Sequence, residues 1–66
     1  MKFKTQPMTN PTAEQFCQEM ATLLMEDPIK GHQYWFDYTI EHNVVFWEAA
    51  ALKERIQDLM NEKKEK

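Results

Sequence analysis

From Ala13 onward apolar residues recur at three- and four-residue steps, through Phe16, Cys17, Met20, Leu23 and Leu24, while Glu14, Gln15, Gln18, Glu19 and Glu26 take the other side. That period predicts an amphipathic helix over about 12–26. Its start has two possible caps. Asn10 caps with Pro11 at the first helical position, or Thr12 caps with Gln15 three residues on. Asp27-Pro28 ends it, because proline disfavours helical geometry in the residue before it, and Ile29, Lys30 and Gly31 complete a short connection.

Between Gly31 and the terminal Asn61-Glu62-Lys63-Lys64-Glu65-Lys66 there is no proline and no glycine, so the pattern predicts a second helix over about 32–62. One stripe runs through Trp35, Tyr38, His42, Val45, Ala49, Leu52, Ile56 and Leu59 in alternating threes and fours, about four heptads long. A second stripe, Phe36, Ile40, Val44, Trp47 and Ala51, lies opposite. A rival reading makes 33–40 and 44–47 the strands of a hairpin, since Tyr34, Phe36, Tyr38 and Ile40 alternate with Trp35, Asp37, Thr39 and Glu41. It ranks second. Its turn, Glu41-His42-Asn43, has no glycine, and the helical stripe passes through the same residues in phase.

At 1.5 Å per residue the first helix spans roughly 22 Å and the second roughly 46 Å. One short helix cannot cover two faces of a long one. The expected architecture is therefore all-α, a two-helix antiparallel hairpin whose remaining face meets a second copy in a homodimeric helical bundle. The dimer contacts would be Trp35, Tyr38, His42, Val45, Ala49, Leu52, Ile56 and Leu59. Both parallel and antiparallel pairings satisfy this seam.

Chain length strengthens the case for assembly. Sixty-six residues form one small domain of the kind that often needs a disulfide, a metal or a second subunit. Cys17 is the single cysteine, and with only His32 and His42 beside it no structural zinc set can be formed. Residues 1–9 read as an N-terminal arm, 10–62 as the helical domain and 63–66 as a frayed charged tail. No apolar run spans a membrane or forms a signal peptide, so the expected location is cytoplasmic.

The chemistry open to the chain is narrow. There is no serine and one glycine, which excludes serine-nucleophile motifs, the P-loop and the dinucleotide-binding turn. Asp37 and Glu41 are one helical turn apart, but a two-helix chain offers little concavity for acid–base work, so no enzyme activity and no cofactor are expected. A net charge of −3 argues against nucleic acid as a partner. The alternative to a protein-binding role is nonetheless a small helical nucleic-acid binder using Lys53, Arg55, Lys63 and Lys64.

Residues 14–41 carry six carboxylates against Lys30 alone, a balance of −5 that suits a basic protein partner. Glu14, Glu19, Glu26 and Asp37 are the candidates on that surface. Six of the eight aromatics fall between 34 and 47, mostly as core, with Tyr34 and Trp47 the candidates for exposed anchors.

The run Asp27-Pro28-Ile29-Lys30-Gly31-His32-Gln33-Tyr34-Trp35-Phe36, with Asn10-Pro11-Thr12 and Glu14-Gln15-Phe16 before it, resembles the small early-region proteins that lambda-like phages carry between their exonuclease and excisionase genes. The resemblance covers residues 8–60 in general character and transfers no site residue. It implies an accessory regulator that binds a host or phage regulatory protein and biases lysis against lysogeny.

Overall fold

A computed structural model describes residues 8–64 of the chain. It contains three α-helices, α1 (Pro11–Glu26), α2 (Pro28–Glu41) and α3 (Phe46–Lys64), and no strand among the described residues. The all-α expectation holds and the rival β-hairpin does not. Of the arm assigned to residues 1–9 and the tail assigned to 63–66, residues 1–7 and 65–66 lie outside the described residues, while Lys63 and Lys64 form the last turn of α3.

Of the two caps open to α1, the structure uses Asn10, whose side chain accepts from the Thr12 N–H at 2.8 Å with Pro11 at the first helical position. The connection to α2 is tighter than the expected Asp27–Gly31 loop. Asp27 alone forms it, donating its backbone N–H to the Leu23 carbonyl and accepting the Lys30 N–H on its side chain. Pro28 ends one helix and opens the next, because its missing N–H and fixed φ suit the first helical position. Gly31 is thus inside α2 rather than in a loop. It is buried there, and a Cβ at this position would stand 2.7 Å from Leu24 Cδ2 and 3.3 Å from the Leu24 backbone nitrogen. The glycine lets α2 approach α1 closely.

The long second helix is also two helices. α2 stops at Glu41, and Asn43 takes a left-handed φ of 49°. The Val44 N–H then reaches back to the Thr39 carbonyl at 3.0 Å and the Asn43 N–H to the Ile40 carbonyl at 3.3 Å. These are the two bonds of a Schellman cap, with asparagine in the place glycine usually holds. Asn43→Val should lower the thermal midpoint by about 10 °C, since a β-branched residue in this conformation costs about 2 kcal/mol, whereas Asn43→Gly should leave it unchanged or higher. Circular dichroism melts of the two variants decide this.

Breaking the helix lets both halves pack on α1. The central helix buries Phe16, Cys17, Met20 and Ala21, and α3 adds Leu52, Ile56 and Leu59 to the same core. Contacts Phe16–Tyr38, Glu19–Tyr34 and Leu24–Gly31 show α2 running antiparallel to α1. Glu14–Arg55 and Thr22–Lys63 show α3 running parallel to it.

The seam assigned to a second copy is therefore redistributed. Leu52, Ile56 and Leu59 are buried against α1 of their own chain, and half-buried Trp35, Tyr38 and Ala49 lie on the two helices that flank it. This corrects the assignment of the three buried residues to a dimer contact: their area is already used within one chain. His42 and Val45 remain exposed, at the α2–α3 junction.

Candidate interaction surface

Phe16 anchors the aromatic cluster that holds α2 in place. Its ring lies 3.8 Å from that of Tyr38 in a stack, 5.2 Å from Tyr34 edge-on and 5.9 Å from Trp35, and Tyr38 in turn contacts the His42 ring at 4.3 Å. Lys53 Nζ sits 5.5 Å from the centre of the Trp35 ring and ties α3 to α2 by a cation–π contact. With Tyr34, Trp35 and Tyr38 turned inward, the side of α2 facing away from α1 is left uncovered.

That outer side is apolar. Ile29, Phe36 and Ile40 are 76%, 62% and 74% exposed, and beyond the cap the first turn of α3 shows Phe46 at 86% and Trp47 at 73%. Isolated exposed apolar residues are ordinary, but a stripe at four- and seven-residue spacings followed by two adjacent aromatics is the composition of an interaction surface. Of the second stripe read from the sequence, Phe36, Ile40, Trp47 and Ala51 are exposed, while Val44 packs toward the core. Ile29 and Phe46 are not among the surface candidates that the sequence offers: Ile29 falls in the predicted connection, and Phe46 counts there with the core aromatics. The spacing of seven from Ile29 to Phe36 was the available signal.

The acidic candidates divide into two groups. Glu14 accepts two hydrogen bonds from Arg55, from Nε at 3.0 Å and Nη2 at 2.7 Å, a third from the Met8 N–H and a fourth from the Gln18 amide at 2.8 Å. The Arg55 bonds hold its carboxyl down at about 2, although burial pushes the other way. Glu14 thus serves the fold. Glu19 accepts from the Tyr34 hydroxyl, and this bond, with some burial, pushes the phenol up to about 12. Tyr34 is half-buried against the core rather than an exposed anchor. Glu26 and Asp37 are exposed, as is Trp47, so three of the six proposed partner contacts stand free on the surface.

Cys17 is fully buried and burial raises its thiol to about 11, the behaviour of a small core residue. Asp37, Glu41 and His42 line one open cleft between α1 and α2, of about 350 Å³. No group of three or more metal-ligating side chains occurs among the described residues. The cations of the nucleic-acid alternative are largely engaged: Lys53 over Trp35, Arg55 on Glu14, and Lys63 donating to the Thr22 hydroxyl at 2.8 Å.

No protein family, curated protein or solved structure matches this chain. The surface must therefore be read from its own residues. Among the described residues no helix is long and apolar enough to cross a membrane.

Proposed function

We propose that the chain is a small non-enzymatic protein–protein interaction module that works as a homodimer and presents Phe46 and Trp47 to a second protein. The observation that carries this reading is the pair of adjacent aromatics, more than two-thirds exposed at the start of α3, on a chain whose core is closed without them. Aromatics supply large contact area at small conformational cost and dominate binding energy when a partner encloses them. Exposed Glu26 favours a basic partner and faster encounter with it. An accessory regulator of the lambda-like phage type, acting on a host or phage regulatory protein, fits this description and is the biological role we propose.

Affinity capture from a bacterial lysate tests it with three forms of the chain: wild type, Phe46→Ala/Trp47→Ala and charge-reversed Glu26→Lys. We expect a partner retained by wild type to be lost with the aromatic double variant and reduced about tenfold with the charge reversal, at unchanged helicity. The same proteins recovered by wild type and the aromatic variant would refute the role of Phe46 and Trp47.

A further inference from the structure

We propose that the outer face of α2 is the dimer contact, and that it pairs antiparallel with α2 of a second copy about a two-fold axis between residues 34 and 35. This rests on the homodimer reading and supplies its surface. The face is formed by Ile29, Gln33, Phe36 and Ile40, separated by four, three and four residues. That spacing reads the same in both directions. An isologous contact requires such self-complementarity, because each residue must meet the image of its opposite number. Ile29 of one copy then faces Ile40 of the other, and Gln33 faces Phe36, twice each. Antiparallel coiled helices use this alternation of fours and threes at their seam.

The charges agree with the same register. Lys30 and Asp37 lie on one flank of the stripe, each one residue past an apolar seam position, and both are exposed. Among the described residues neither has an ion-pair partner. Two-fold antiparallel pairing brings Lys30 of each copy to Asp37 of the other, giving two opposite-charge contacts. In a parallel pairing the two flanks would lie on opposite sides of the seam, so Lys30 and Asp37 would not meet and Asp37 would instead face the His32 position of the other copy. The area is adequate as well. Three largely exposed apolar side chains, Gln33 and the stems of the two charged residues offer about 600 Å² per chain, the lower end of a specific interface. The arrangement leaves Phe46 and Trp47, on α3, outside the seam of the two α2 helices.

Sedimentation equilibrium at about 100 μM, together with a charge-swap series, tests the proposal. We expect wild type to be dimeric and Phe36→Glu to be monomeric with unchanged helicity, its dissociation constant raised at least about a hundredfold because a charge is placed twice in the seam. Lys30→Asp and Asp37→Lys should each weaken the dimer about fivefold at low salt, and the double swap should restore it. A wild-type monomer at this concentration overturns the dimer itself. A dimer indifferent to Phe36→Glu, or a double swap that fails to restore, overturns the α2 pairing while leaving the homodimer reading intact.

Discussion

Phe16→Ala is expected to remove roughly half or more of the chain's stability. Removing a buried phenylalanine costs about 3–5 kcal/mol, the transfer energy of the ring plus the cavity it leaves. A 66-residue domain holds roughly 3–10 kcal/mol in total. Phe16 is 2% exposed, and its ring contacts three of the four aromatics of α2, so its loss removes the surface on which that helix rests. Truncating Phe36, a larger part of the visible surface, should change the stability of the isolated chain by about 0.5 kcal/mol or less. Urea titrations followed by far-ultraviolet circular dichroism compare the two. Equal losses for Phe16→Ala and Phe36→Ala would contradict the assignment of one to the core and the other to the surface.

The second large effect belongs to Arg55. Its side chain is 11% exposed and joined to Glu14 through two hydrogen bonds, bridging α3 to the first turn of α1. Arg55→Ala leaves a half-buried carboxylate without its principal donor and should cost about 2–3 kcal/mol. The pair also sets the acid limit of the fold. Glu14 titrates at about 2 in the folded chain against an ordinary value of 4.5, so the unfolded chain binds the proton more readily. The resulting stabilisation is complete above pH 4.5 and is lost as pH falls from there toward 2. It amounts to about 2–3 kcal/mol after allowance for partial exposure. Urea midpoints measured at about pH 3 and about pH 6 should diverge in wild type and converge in Arg55→Ala. A wild-type midpoint flat across that interval would mean that the ion pair contributes nothing to folding.

Much of the local structure was legible in the residues. The apolar period of 13–24, one of the two starts the pattern offers, Asn10 with Pro11, and the stop at Asp27 all appear in α1. The two helix boundaries that were missed have local causes. Pro28 was read as a terminator, but a proline that ends one helix is also well suited to begin the next, so the turn shrank to one residue. Asn43 caps α2 in a left-handed conformation open to asparagine, and a search for glycine and proline alone passes over it. The same three residues, Glu41-His42-Asn43, had supplied the turn of the rejected strand hairpin, so a chain reversal at that point did have a trace in the sequence.

The identity of the functional face was not legible for a different reason. Periodicity states which positions share a side of a helix and leaves open what covers that side. The stripe through Trp35, Tyr38, Leu52, Ile56 and Leu59 was real, and so was the one through Phe36, Ile40 and Trp47. On a continuous 31-residue helix the shorter partner can shield only one face, which points to a second chain along the whole seam from Trp35 to Leu59. Once Asn43 breaks that helix, α2 and α3 fold onto opposite-running tracks along α1, and the same leucines and isoleucine are buried within one chain. The surface left for a partner moves to Ile29, Phe36 and Ile40 and to Phe46 and Trp47.

By itself, then, the sequence determined the helical class, the first helix to within two candidate caps, and the two apolar stripes, because those depend on propensity and on period within a few turns. Only the tertiary structure decided which stripe is core and which is surface, and that Glu14 serves Arg55 rather than a partner. That choice depends on where α2 and α3 lie relative to α1, and one left-handed residue at the α2–α3 junction controls it.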